Sequence, residues 1–430
     1  MILTIFLGVL VLLFILGFSV PYAIGLTSLV VLIFQRGITE IPFGIISQRM
    51  VYGINNFTLL AIPFFLLAGK LMNTGSITKK IFKFANTLVG YLPGGLGHAN
   101  IVASIIFAGM SGSAVADAAG LGTIEIEAMQ DQGFDKEFSA AVTAASSTIG
   151  PIIPPSIPLI MYGVMGDVSI AALLLAGIVP GLLMGGAMMV LVAYYSIKRN
   201  YPKIPFPKWK EIWHDFKDAF WPLLTPVILI GGILSGIFTP TEASAVAVVY
   251  SFILTVFVYK ELSVRDLINI FMETIKETAV ILFIVAASSL YGYLLVKTQM
   301  PQYFMEKLFA VSQNPVIILL LINVFLLVIG CFMETNAAII ILTPMMIPLA
   351  AKLGIDPVHL GIVMVLNLMI GLLTPPIGMC LYAVARVAKL SLDKMVRAVA
   401  PFYIPLIVVL LLITLFPQIV LILPSLALGY

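Results

Sequence analysis

The sequence predicts an all-α polytopic membrane protein built as an inverted repeat, and three observations carry that reading. Of 430 residues, 61% are hydrophobic and only 10% are charged, against about 45–50% and 25% in an ordinary soluble chain. The charges cluster, leaving apolar runs of about 15 to 20 residues, the length that crosses a hydrocarbon core. The chain also matches itself at a nearly fixed offset. The composition excludes a soluble enzyme, and the balance of 23 basic against 20 acidic residues, net +3, excludes a nucleic-acid binder. Cys331 and Cys380 lie in apolar surroundings, so neither a disulfide framework nor a thiolate metal site is supported.

In chain order, Ile2 to Phe18 lacks the basic leader and small-residue cleavage site of a signal peptide and reads as the first span. Further spans are predicted near 22–35, 55–73, 137–165, 172–197, 220–238, 241–259, 278–296, 358–385 and 399–423. Two stretches, 98–129 and 315–350, are interrupted near their middles by Gly, Ser or Asn and Pro. Each reads as two half-length helices forming a re-entrant hairpin. Irregular backbone at membrane depth is tolerated only where protein or a watery cavity satisfies it, so such tips point to function.

An ungapped offset of 221 superposes Gly109 on Gly330, Gly133 on Gly354, Asp135 on Asp356, Gly150 on Gly371, Pro154-Pro155 on Pro375-Pro376 and Pro180 on Pro401. At an offset of 219, Gly17 and Pro21 fall on Gly236 and Pro240. The predicted organisation is therefore repeat one over 1–200 (hairpin 98–129, broken helix 137–165), an amphipathic cytoplasmic connection over 201–219, and repeat two over 220–430 (hairpin 315–350, broken helix 358–385). Five crossings per half invert the second half, an architecture of secondary transporters.

Positive charge orients the halves. Lys198, Arg199, Lys203, Lys208, Lys210 and Lys217 place the mid-chain connection in the cytoplasm. The loop from Asp167 to Ala172 carries no Lys or Arg, while its repeat-two equivalent holds Arg386, Lys389, Lys394 and Arg397. Both termini then lie outside, with Lys70, Lys79, Lys80 and Lys83 inside. Lys297, Lys307 and Lys352 fall outside against the rule. The stretches Ile77 to Tyr91 and Gln302 to Val311 mix apolar and basic residues as interfacial helices do. Trp209, Trp213 and Trp221 among lysines suggest the headgroup level for 203–220 as well, although a plain connecting loop fits the same residues.

Chemistry concentrates at four interruptions. The tip of hairpin one reads Gly-Met-Ser-Gly-Ser-Ala-Val-Ala-Asp over 109–117, and that of hairpin two Gly-Cys-Phe-Met-Glu-Thr-Asn over 330–336. Small and hydroxylic residues let the backbone unwind and turn oxygens inward, which suits a small hard cation, while half-helix N-termini suit an anion. Close helix packing is the other use of such residues. The broken spans carry Gly150-Pro151 and Pro154-Pro155-Ser156, and Gly371, Thr374-Pro375-Pro376 and Gly378. Paired prolines free carbonyls that a cation could take up, or simply kink the helix.

Intramembrane ionisable residues are functional candidates. Asp117 and Glu334 lie near the tips, whereas Glu242 follows Pro240-Thr241 at a span start as a structural residue. Glu125, Glu127 and Asp131 fall at the exit of hairpin one in a solvated or interfacial setting. Arg386, at the end of the broken span of repeat two, offers a guanidinium to a substrate carboxylate, or snorkels to the interface. Arg386, Asp117 and Ser156 make up the candidate substrate set. His98, His214 and His359 are isolated, and neither a zinc-protease motif nor a glycine-rich nucleotide loop occurs, so transport is not driven by ATP on this chain.

With Gly-Met-Ser-Gly-Ser-Ala-x-Ala-Asp at 109–117, Gly-Pro-Ile-Ile-Pro-Pro-Ser at 150–156, Pro-Thr-Glu-Ala at 240–243 and Thr-Pro-Pro-Ile-Gly at 374–378, the chain resembles the large membrane subunit of tripartite ATP-independent periplasmic (TRAP) transporters over essentially its whole length. The resemblance implies a sodium-coupled importer of organic acids in the bacterial inner membrane, such as sialic acid or C4-dicarboxylates. It also implies a periplasmic substrate-binding protein and a small four-helix membrane subunit, expected here as a separate chain. An elevator mechanism is implied too, in which a transport domain slides against a scaffold and the stretches at 77–91 and 302–311 act as arms. By the same resemblance Ser111, Ser113, Thr148 and Gly150 would match a first sodium site, and Glu334, Asn336, Gly371, Thr374 and Gly378 a second, many through backbone carbonyls. The alternative is a stand-alone sodium- or proton-coupled anion carrier of similar fold. A channel or an intramembrane hydrolase lacks either a continuous pore motif or a nucleophile with its base.

Overall fold

A computed structural model describes residues 2–73 and 75–429. Every regular element among the described residues is helical. The first half holds α1 (Ile2–Ile15), α2 (Val20–Arg36), α3 (Phe43–Ile54), α4 (Ala61–Met72), α5 (Gly75–Val89), α6 (Gly95–Ser111), α7 (Ala114–Ala119), α8 (Leu121–Asp131), α9 (Lys136–Ser147), α10 (Ile157–Gly166) and α11 (Ile170–Arg199). The second holds α12 (Trp209–Leu234), α13 (Pro240–Phe252), α14 (Val264–Lys297), α15 (Met300–Val311), α16 (Pro315–Phe332), α17 (Thr335–Leu353), α18 (Pro357–Gly371), α19 (Met379–Val387), α20 (Leu392–Val399), α21 (Tyr403–Leu415) and α22 (Pro417–Leu428). Among the described residues seven helices are long and apolar enough to cross a bilayer, or eight counting a bent pair, so the chain is a multi-pass membrane protein.

Equivalent helices start 221 residues apart, as at Phe43 and Val264, Ala114 and Thr335, and Lys136 and Pro357. Their punctuation matches as well. Gly133 (φ +85°) and Gly354 (φ +66°) make the same left-handed turn, a conformation that glycine adopts without the Cβ penalty. The Pro154-Pro155 and Pro375-Pro376 bonds are both cis. Thr239 donates its N–H and its hydroxyl to Glu242, both at 2.8 Å, and receives the Glu242 N–H in return at 3.3 Å. Glu242 is therefore a helix cap.

Several sequence expectations change. The span over 55–73 is preceded by α3, and the two meet at Asn55-Asn56 with a bend of 58°. In repeat two the same stretch is the single 34-residue α14, starting well before the expected 278. Asparagine side chains favour turns, whereas the residues 221 positions on, Lys276 and Glu277, are good helix formers and carry α14 straight through. The connection over 201–219 is largely helical, because α12 runs unbroken from Trp209 to Leu234. The span over 399–423 is divided at Phe416, before Pro417. The stretch 315–350 is not a pair of half-length helices: α16 and α17 have 18 and 19 residues, each apolar enough to span. Repeat one does break into shorter pieces of 17, 6 and 11 residues, since Gly112 and Gly120 each interrupt it.

The core is densest around α9 and α18, where Phe138–Ser147 and Val358–Gly371 are buried throughout. The halves interlock. Helix α10 of the first packs on α17 of the second, and α19 of the second packs on α7 of the first. On the other side α14 packs along α2, α3 and α4, and α4 along α13.

Candidate functional site

At the first tip, α6 ends at Ser111 and Gly112 turns the chain at φ +60°. A Cβ on Gly112 would lie 2.4 Å from the Pro155 carbonyl oxygen, so only glycine lets the tip meet the broken helix. Ser113 is extended and caps α7, accepting the Ala116 N–H at 3.4 Å. Its backbone lies beside Gly150, whose added Cβ would sit 3.6 Å from the Ser113 carbonyl. The Ser111 hydroxyl is buried without a hydrogen-bond partner.

The first break is sealed. Ser147 and Thr148 donate to the Ala144 and Ala145 carbonyls at 2.8 and 2.6 Å. Ser156 donates to the Pro151 carbonyl and accepts the Leu159 N–H, at 3.2 Å, as the cap of α10. Every residue from Thr148 to Ser156 is buried. A Cβ on Gly177 of α11 would lie 2.0 Å from the Ile152 oxygen, which shows how closely α11 covers this loop.

The second tip and break meet in the same way. Glu334 caps α17, accepting the Ala337 N–H at 3.0 Å and the Asn336 amide at 2.8 Å. The Thr335 hydroxyl and the Asn336 side-chain oxygen are buried and unpartnered. Gly330 and Gly371 abut, a Cβ on Gly371 falling 2.5 Å from Gly330, and Ile377 donates its N–H to the Cys331 carbonyl at 3.2 Å. Thr374 donates to the Ile370 carbonyl at 2.9 Å. Tyr403 donates to the freed Leu373 carbonyl at 2.5 Å. Unlike the first break, Pro375, Pro376 and Ile377 are exposed.

The two tips face one cavity of about 1150 Å³. Ser111, Ser113, Glu334 and Asn336 line it, with Pro151, Ile157, Met369, Leu372 and Met379. Thr148, Gly150, Gly371, Thr374 and Gly378 stand outside that lining. The opposite wall is built by α2, α4 and α14 and carries Tyr22, Lys70, Glu273, Lys276 and Glu277. Lys70 bonds Glu273 at 3.1 Å and Glu277 at 2.8 Å. The cluster Glu273, Lys276 and Glu277 escapes the sequence reading, although its i, i+3, i+4 spacing puts all three on one helix face.

Of the candidate substrate set, none lines the cavity. Arg386 is exposed at the end of α19. Ser156 uses its hydroxyl within its own loop. Asp117 is buried on α7, with neither carboxylate oxygen hydrogen-bonded, and it faces a polar cluster that the sequence reading misses. There Asn100 donates to Thr143 and accepts from Ser146, both at 2.7 Å, and Ser104 reaches Ser146 at 3.1 Å. Glu125, expected in a solvated setting, is instead 1% exposed beside this cluster. Only its neighbours Glu127 and Asp131 of that trio reach the surface.

Residues 7–419 match the family of the tripartite ATP-independent periplasmic transporter, DctM component. The chain belongs to the TRAP transporter large permease family. It is 47% identical, over 96% of both chains, to the sialic acid TRAP transporter large permease of Vibrio cholerae. It is 35% identical, over 97% of this chain and 98% of the relative, to the C4-dicarboxylate large permease of Rhodobacter capsulatus. Its fold is similar to the solved structure of the Alcanivorax borkumensis YdaH transporter, with a TM-score of 0.61 at 14% identity over 86% of this chain and 87% of that one. Both of these relatives are named as transporter permeases, which points to a transporter and away from an enzyme.

Proposed function

We propose that this large permease forms the membrane path of a sodium-coupled importer of organic acids in a bacterial inner membrane. It works with a separate small four-helix membrane subunit and receives substrate from a periplasmic binding protein. The observation that carries the reading is the pairing of each tip with its own broken helix on one side of a single cavity. Unpartnered buried oxygens at both tips, on Ser111, Thr335 and Asn336, are the groups a desolvated sodium ion would satisfy. Such hard oxygen donors match that ion, with Ser111, Ser113, Thr148 and Gly150 at one site and Glu334, Asn336, Gly371, Thr374 and Gly378 at the other. The tips belong to a transport domain that moves, elevator-fashion, against the α2, α4, α13 and α14 scaffold.

Sialic acid is the first substrate to test, because the 47%-identical relative carries that name, with C4-dicarboxylates next. Arg386 lies outside the cavity, so in this reading Lys276, which lines it, is the cation that faces a substrate carboxylate. Lys70 is already held by two glutamates. The decisive experiment is uptake into proteoliposomes containing both membrane subunits, with the binding protein outside and an inward sodium gradient. Uptake indifferent to sodium would sink the coupling assignment, and full uptake without the binding protein would favour the stand-alone carrier.

A further inference from the structure

A second cavity, of about 840 Å³, lies apart from the central one, between α5, the connection at 204–208 and the first turns of α12. Ile204 donates its N–H to the Gly90 carbonyl at 3.0 Å, which pins the connection across the end of α5. The lining includes Lys83, Thr87, Phe206, Lys208, Lys210 and His214.

Its acids are already engaged. Asp215 holds Lys83 at 2.6 Å and the Thr87 hydroxyl at 2.6 Å. Glu211, also in the lining, accepts the Lys208 backbone N–H at 3.0 Å. Among the described residues neither Lys208 nor Lys210 has an ion-pair partner. With Lys83 and Asp215 cancelling, the lining sets Lys208 and Lys210 against the single carboxylate of Glu211, so the cavity is net positive and both ammonium groups are free of ion pairs. Beside them Phe206, Trp209 and Trp213 are 73%, 77% and 50% exposed, on the connection and opening turns of a helix apolar enough to span. Exposed Trp at a span end marks the headgroup level. Basic pockets at that level bind anionic lipid headgroups.

We propose that this cavity binds the phosphate headgroup of an anionic membrane phospholipid. Lys208 and Lys210 hold the phosphate, and the acyl chains run past Phe206, Trp209 and Trp213. The bound lipid ties α5 to the connection and α12, so it fastens the arm next to hairpin one to the membrane surface. A membrane source is favoured over free phosphate because the aromatic rim has no use for a soluble anion.

The test uses the complete membrane complex in nanodiscs of phosphatidylethanolamine with or without phosphatidylglycerol, and native mass spectrometry reads the lipid retained. Phosphatidylglycerol should be retained in preference, and Lys208→Gln/Lys210→Gln should weaken retention roughly thirtyfold, equivalent to about 2 kcal/mol at about 1 kcal/mol per lysine near a membrane surface. Both side chains are exposed, so core packing is untouched. Lys210→Gln alone, expected at about fivefold on the same scale, gives a second reading, and Lys307→Gln on α15 should change nothing. Equal retention of the two lipids, retention unaltered by the double substitution, or complete displacement by millimolar inorganic phosphate would each overturn the proposal.

Discussion

The two broken helices share a sequence pattern and a cis proline pair, yet they live in different surroundings. The first is roofed by α11, with every residue from Thr148 to Ser156 buried. The second leaves Pro375, Pro376 and Ile377 exposed and relies on Tyr403 to satisfy the Leu373 carbonyl. Duplication thus preserves backbone geometry without preserving environment. A buried loop is held by packing whether or not an ion is present, whereas an open one depends more on its ligand.

The strongest test of that contrast is Gly177→Val. Its Cβ would meet the Ile152 carbonyl at 2.0 Å, and a clash with backbone cannot relax as a flexible side chain would. A loss of about 3 kcal/mol or more is expected, seen as collapse of monodisperse yield. Gly186→Ala, with nothing within 4 Å of the added Cβ, is the neutral comparison. A well-behaved Gly177→Val protein would remove the roof from the explanation.

Next come the hydroxyls. Ser113→Ala and Thr374→Val should each raise the sodium concentration for half-maximal uptake roughly tenfold, about 1.4 kcal/mol, in the range for losing one charge-assisted hydrogen bond or ligand. Folding should change less. Thermal stabilisation by sodium sharpens the comparison, because it should fall further for Thr374→Val, in the open site. Sodium curves that superimpose on the parent's would argue against both markers.

Tyr403→Phe should cost about 1 kcal/mol of stability, since it strips the partner from a freed carbonyl. Repeat one has leucine at the equivalent position, Leu182, so Leu182→Ala offers no matching hydrogen-bond effect. Smallest is the pair of the exposed Lys83 with the largely buried Asp215. The hydrogen bond to Asp215 holds the Lys83 ammonium above the usual lysine range. Its contribution is full below that range and is lost as pH rises through it, so a melting profile across neutral pH should stay flat for this pair. Asp215→Asn should lower the melting temperature slightly, and added salt should shrink that difference.

Much of this is legible in the sequence because glycine and proline act locally. Gly133, Gly354 and the two proline pairs announce their backbone before any tertiary contact is known. Polar clusters are another matter. Asn100, Ser104, Thr143 and Ser146 lie on α6 and α9, and only packing brings them to Asp117 and Glu125. Tyr403 is likewise silent, standing 30 residues from the carbonyl it serves. Helix α3 hides because Gln48, Arg49 and Gly53 dilute its hydropathy. For Arg386, position in a span does not say which way the side chain faces, and it stands exposed outside the cavity lining.

The crossing of α10 onto α17 and of α19 onto α7 bears on how such a molecule could have arisen. Two separate copies exchanging the second halves of their broken helices would be a domain-swapped dimer, and the present chain has that swap written into one polypeptide. Neither half supplied alone could complete its own hairpin's packing. Expressed as two chains, they would have to find each other in the membrane before the shared cavity existed.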